Sequence, residues 1–284
     1  MKKLLLLFTF INVSLVAIGQ QRDLVKIADS IRAEAEVLYR SEFASWYGSD
    51  IFSEKCAVRR SRSGGYLSYD NGQGLVNIFY SNSTTPTVLA TISFGYDFDP
   101  AKYKLDTTDR KLNATETALY NLRKAAITDL QTDTLYKFYR NTSPNPIPVI
   151  KDGKKMVYVL TGPGNTGVVI FGNDYLIDFD KDDKITGRKR LHKNLIPLQM
   201  KTDNGQLTIG GMHSHLPETG EFITATDICT LMLYEKFTTW KQHIVVSQNY
   251  TSIWDCERNK LSIVTVEDWK KTNVLKDVFK NEPK

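Results

Sequence analysis

The second half of this chain is built from apolar runs too short to be helices, and no other feature narrows the fold as much. Met156 to Thr161, Gly167 to Phe171 and Tyr175 to Phe179 are runs of five or six residues, divided by Gly-Pro-Gly and Gly-Asn-Asp turns. Short apolar runs bounded by turn residues read as buried strands. Leu207 to Met212 is a further run. A helical stretch from Asp227 to Trp240 follows it. Strands are then predicted at Ile244 to Ser247, Ser252 to Trp254 and Leu261 to Val266, with a closing helix from Glu267 to Phe279. One helix inserted among strands predicts an α+β or α/β arrangement.

The first half reads differently. Leu24, Ile27, Ile31, Ala35 and Leu38 recur at helical spacing and predict a helix over Arg22 to Phe43. Tyr66 to Tyr69, the turn Asp70-Asn71-Gly72 and Leu75 to Tyr80 predict a hairpin, with a third strand at Thr87 to Phe94. Leu119, Leu122, Ala126 and Leu130 form the stripe of a helix over Asn113 to Leu130. Three prolines between Asn141 and Pro148 predict a linker. It divides an N-terminal α+β region, 20–145, from a C-terminal domain, 146–284.

Lys2 and Lys3, the apolar stretch Leu4 to Ile18 and the small residues Ala17 and Gly19 have the layout of a cleaved signal peptide over residues 1–19. The apolar run is shorter than the roughly 20 residues that span a bilayer. The expectation is an exported chain, periplasmic or extracellular, with no transmembrane segment once the leader is removed. The net charge of +5 less the two leader lysines leaves +3, too mild a balance to indicate nucleic-acid binding. Hydrophobic residues at 41% and charged residues at 24% exclude general disorder. Three cysteines, Cys56, Cys229 and Cys256, are too few for a disulfide framework. Cys229 falls on an apolar helix face, and Cys56 with Cys256 is the one pairing to test.

The segment Gly210-Gly-Met-His213-Ser-His215 carries chemistry. On a strand, residues i and i+2 project from one face, so both imidazoles reach one point. Asp227 opens the next helix. Two imidazoles and a carboxylate are three ligands of a tetrahedral metal site, with a fourth position for water, which is the layout of a catalytic zinc centre. Thr224-Ala-Thr-Asp227 also fits an N-terminal capping box, which leaves a purely structural reading open.

His213-Ser-His215, a loop, Thr224-x-x-Asp227 and an apolar helix resemble the zinc signature of the JAB/MPN (JAMM) metalloproteases. The likeness covers roughly Met156 to Val266 and is specific between Gly210 and Asp255. It implies a cytidine-deaminase-like mixed sheet with flanking helices, preceded here by the N-terminal helix and antiparallel strands. It also implies Zn2+ held by His213, His215 and Asp227, with Thr224 in place of a serine that steadies the tetrahedral intermediate. The substrate would be a protein or peptide, cleaved at a peptide or isopeptide amide. The loop is one residue longer than the family's. No glutamate lies between Thr117 and Pro217, where the family's catalytic glutamate is expected. Glu116 and Asp178 are the candidate bases, although Asn113-x-x-Glu116 also reads as a capping box. The alternative is a non-catalytic MPN-like binding module with a vestigial or structural metal site.

Other residues are set aside. Asp178-Phe-Asp180-Lys-Asp182 echoes a calcium loop, but Asp183 and Lys189 stand where glycine and glutamate are needed. The basic run from Lys184 to Lys193 reads as a charged hairpin tip. Glu218 and Glu221 read as loop charges. His192 and His243, without partners at ligand spacing, read as surface or packing residues.

Overall fold

The computed structural model describes residues 2–202 and 204–271, with side chains from residue 23 onward. The first helix, α1, runs Lys2–Lys55. Three antiparallel strands follow, β1 (Ser63–Asp70), β2 (Leu75–Ser81) and β3 (Thr87–Phe94), with short β4 (Tyr103–Asp106) and β5 (Arg110–Lys111) both pairing with β3. Helix α2 (Ala114–Thr132) leads to β6 (Thr142–Lys151), β7 (Lys154–Pro163), β8 (Val168–Gly172), β9 (Tyr175–Phe179), β10 (Ile185–Arg190) and β11 (Leu195–Gln199). Then come β12 (Gly210–Ser214), α3 (Ala225–Tyr234), β13 (Gln242–Val246), β14 (Tyr250–Asp255), β15 (Lys260–Thr265) and α4 (Val266–Lys271).

The strands form four sheets: β1-β2-β3-β4 with β5, then β10-β9-β7-β6, the pair β11-β8, and β12-β13-β14-β15. Among the described strands only β12 and β13 pair in parallel, with α3 as the crossover between them. The chain is α+β. The leader expected over residues 1–19 lies outside the described side chains, and residues 272–279 of the expected closing helix lie outside the described residues. Among the described residues, no helix is long and apolar enough to cross a membrane.

Helix α1 extends past the expected Phe43. Phe43, Ala44, Ile51 and Phe52 pack on Leu75, Phe79, Ala90 and Ile92 of the first sheet, so the apolar stripe continues to a second core. Gly48 sits in this contact, where a Cβ would collide with the Asn77 side chain. The close approach outweighs glycine's cost of about 1 kcal/mol in a helix interior. Further toward the N-terminus, Ala28, Ala35 and Leu38 join a different core with Ile228, Leu231, Trp254 and Leu261.

The proline segment is a strand, not a linker. Pro144, Pro146 and Pro148 alternate along β6, which is the edge of its sheet. Period-two spacing turns all three missing donors to the unpaired side, while Ser143, Asn145 and Ile147 keep donors for β7. Helix α3 ends at Tyr234, earlier than expected, and passes into a 3-10 turn over Glu235–Phe237. Buried Trp240 then donates from Nε1 to Thr208 Oγ1 at 2.8 Å. Cys56 and Cys256 are both buried and free, in separate cores, and do not pair. The tip of the β9-β10 hairpin is the acidic stretch, where Asp180 Oδ1 accepts from the Asp182 and Lys184 amides, each at 2.9 Å. Most of the basic run expected there is strand β10 instead, paired with β9. Arg188 of the basic run is bound to Asp129 at 2.6 Å.

Asn113 caps α2, and Glu116 completes the box by accepting from Asn113 N at 2.8 Å. The Glu116 carboxylate is fully buried, and Arg110 donates to both its oxygens at 2.7 Å. Burial opposes ionisation here, but Arg110, the Asn113 amide and Tyr69 together hold the carboxyl below its usual range. A lowered folded value means stability that is complete above about pH 4.3 and is lost as pH falls through the folded value. Glu116→Gln should therefore lower unfolding free energy at pH 7 by about 1–3 kcal/mol. It should also lose less stability than wild type below about pH 4. Urea unfolding across pH checks both, and parallel pH profiles would show that the pair contributes nothing.

Candidate metal centre

All four histidines of the chain, His192, His213, His215 and His243, converge at one end of β12. Strand alternation does the first step. His213 and His215 turn inward and are buried, while Met212 and Ser214 are exposed. Gly211 allows the second: a Cβ there would lie 2.9 Å from His243 Nδ1 on the neighbouring strand. The third comes from α3. Thr224 caps it, with Asp227 Oδ2 accepting from Thr224 N at 3.0 Å and from Thr224 Oγ1 at 2.8 Å. The capping box thus occupies one carboxylate oxygen. Asp227 Oδ1 is buried with no hydrogen bond and lies 3.8 Å from His213 Nε2. Cap and ligand are one residue used twice.

His192 is the fourth member, not the surface or packing residue expected. It follows β10, whose register sets Arg190 opposite Tyr175 of β9. That hairpin brings His192 beside Asp174, whose Oδ1 lies 2.6 Å from His192 Nδ1. Asp174 Oδ2 also accepts from Thr226 Oγ1 of α3. No local motif marks either residue. The only signal in the sequence is that Asp174 immediately precedes the strand predicted at Tyr175 to Phe179.

The donor atoms of His192, His213, His215 and Asp227 all lie within 4.8 Å of one another. His215 Nε2 is 2.9 Å from His192 Nε2 and 3.1 Å from His213 Nε2. Asp227 Oδ2 is 3.4 Å from both His192 Nε2 and His215 Nε2. Four donors at about 2.0 Å from a tetrahedral metal stand about 3.3 Å apart, so the cluster has the size of a metal cage.

The outer nitrogens decide what the inner ones offer. His215 Nδ1 lies 2.9 Å from the Phe222 carbonyl, and His192 Nδ1 faces the Asp174 carboxylate. Both partners only accept, so both Nδ1 atoms carry hydrogen, and the neutral rings turn Nε2 lone pairs toward each other. Facing lone pairs at 2.9 Å require a positive charge between them. In the metal-free protein it is a proton. Burial depresses the His192 pKa, but Asp174 and Asp227 outweigh it and push the group up to about 11. A metal cation satisfies the same electrostatics and also uses Asp227 Oδ1. Burial, with His215 and His192 nearby, draws His213 down to about 4, so it is a neutral donor. His213 Nδ1 meets His243 Nε2 at 3.0 Å, and the His243 ring stacks on Phe171 at 4.7 Å. Burial holds His243 neutral as well, drawn down to about 3.

The His192, His213, His215 and Asp227 group can hold a metal ion, and its chemistry of three imidazoles and one carboxylate suits a first-row divalent ion. The two candidate bases lie elsewhere. Glu116 is committed to Arg110, Tyr69 and Asn113, and Asp178 is exposed on β9. Glu218 pairs with Lys193 at 3.1 Å, and Glu221 with Asn249. Thr224 Oγ1 points to Asp227 and Thr226.

The fold and the site define an α+β protein with a buried three-histidine, one-aspartate cluster. No family model, no curated protein and no solved structure matches the chain.

His243→Ala removes the group that orients His213. Divalent metal affinity should fall about 10–100-fold, read by competition with a chelating dye. Unchanged affinity would assign His243 to packing alone.

Proposed function

We propose that this is an exported zinc-binding module of MPN-like type, in which His192, His213, His215 and Asp227 hold the ion as a closed, non-catalytic centre. The observation that carries the reading is the fourth buried ligand. His192 stands where a catalytic site keeps an open position, and all four ligands are at most 7% exposed. The second support is chemical. Apart from the ligand Asp227, no carboxylate among the described residues stands free at the point where the imidazoles converge, and Asp174 is held by His192 and Thr226. A buried zinc would tie β12, the first turn of α3 and the segment after β10 into one unit. The N-terminal pattern of Lys2, Lys3 and Leu4 to Ile18 supports export. A protein or peptide partner follows from the resemblance, and the mild net charge argues against nucleic acid.

The second reading is a JAMM-like zinc hydrolase of peptide or isopeptide amides. What favours it is the His213-Ser-His215 strand end followed by Thr224-x-x-Asp227 on the next helix. Zinc would supply Lewis-acid polarisation of the scissile carbonyl. Thr224 would offer its hydroxyl, and His192 would have to leave the ion to open a position.

Purified protein should contain about one zinc per chain, lost in His213→Ala and Asp227→Ala. Chelation should lower the thermal midpoint, as ligand linkage requires. Zinc-loaded protein should cleave none of a panel of peptide and isopeptide amides. Metal-free protein under zinc-replete conditions sinks both readings, whereas zinc-dependent cleavage selects the hydrolase.

A further inference from the structure

A second candidate site lies where α1, β1, β6, β7, β8 and α3 meet around a cavity of about 350 Å³. Glu42, Trp46 and Asp50 line it from α1, at the i, i+4, i+8 spacing of one helix face. Tyr66 of β1, Asn145 of β6 and Tyr234 of α3 complete the polar and aromatic lining. No lysine, arginine or histidine lines it.

The Glu42 carboxylate is half used. Its Oε2 accepts from Asn145 Nδ2 at 2.7 Å, and its Oε1 hydrogen-bonds with no described residue. Arg123 approaches from outside the lining but is committed to other acceptors. It donates to Asn145 Oδ1 at 3.3 Å and to the Pro146 carbonyl, and its guanidinium lies 4.6 Å from the Tyr66 ring centre. It makes no ion pair with Glu42. The cavity therefore offers two carboxylates and three aromatic rings, with Glu42 Oε1 free to accept.

We propose that this cavity binds an organic cation, an alkylammonium or guanidinium group that donates to Glu42 Oε1 and packs against the Trp46, Tyr66 and Tyr234 rings. An anion is excluded by the two carboxylates. A bare metal ion would find too few hard oxygens. The volume is that of a small-ligand pocket, and aromatic faces attract cations in desolvated sites. Burial pushes Glu42 up to about 7 against the pull of Arg123 and Asn145. An incoming cation supplies the charge that burial withholds.

The cation's source is either a free amine or a basic side chain of a peptide, and titration calorimetry on the full zinc-loaded chain separates them. The probes are n-butylammonium, a terminally blocked Gly-Lys-Gly peptide, and the same peptide with acetylated lysine. We expect saturable binding of at least one cation, about tenfold weaker binding of the acetylated peptide, and about tenfold weaker cation binding in Glu42→Gln. A tenfold preference for the peptide assigns a basic side chain, and equal affinity assigns a free amine. Zinc content should be unchanged in Glu42→Gln, so this site fails or stands apart from the metal reading. Absence of saturable binding below about 10 mM, equal binding of the acetylated peptide, or unchanged affinity in Glu42→Gln overturns the proposal. If Glu42→Gln does not fold, Asp50→Asn at the exposed rim decides, and unchanged affinity there overturns it too.

Discussion

Two hydrophobic cores share one helix. The apolar face of α1 packs through Ala28, Ala35 and Leu38 onto α3 and the β13-β14-β15 layer, then through Phe43, Ile51 and Phe52 onto the first sheet. Each sheet exposes one apolar face that must be covered, and a single rigid element covers both. Helix α3 packs against α1, so the segment bearing Asp227 is positioned by a helix that ends 170 residues before α3 begins. The placement of the metal cluster and of the Glu42 cavity both depend on that seam.

The cluster itself is costly without an ion. Four imidazoles and two carboxylates are removed from water, and burial of charge is unfavourable unless each group is paired. The pairing is nearly complete. Asp174 serves His192 and Thr226, Phe222 serves His215, His243 serves His213, and the Thr224 cap serves Asp227 Oδ2. What is left over is Asp227 Oδ1 on the inside and His243 Nδ1 at the back. An orphaned carboxylate oxygen facing buried imidazoles is the remainder expected of a cage built around a cation. On the proposed closed-centre reading, four protein ligands would leave no position at the ion for a base to serve.

Much of the local structure was legible. The Asp70-Asn-Gly turn, the Asn113 and Thr224 caps and the apolar runs Met156 to Thr161, Gly167 to Phe171 and Tyr175 to Phe179 became the elements their chemistry implies. The run from Leu207, by contrast, is strand only from Gly210. Errors arose where a local rule met a tertiary context. The three prolines read as a linker because proline removes a donor, yet at alternate positions of an edge strand no donor is missed. Trp240 looked like helix because it is apolar, but its indole is needed by Thr208, beyond the helix end.

The sequence by itself determined three of the four members of the candidate metal cluster. A strand's period of two turns His213 and His215 to one face, and a capping residue puts Asp227 at a helix start; both follow from backbone geometry over a few residues. Only the tertiary structure decided that His192 joins them, that Asp174 and His243 hold the rings in place, and that Glu42 faces a cavity. Those contacts join residues 18 to 103 positions apart, through a hairpin register, a parallel strand pair and a helix seam. Burial there depends on how whole layers pack, which no short window of sequence contains.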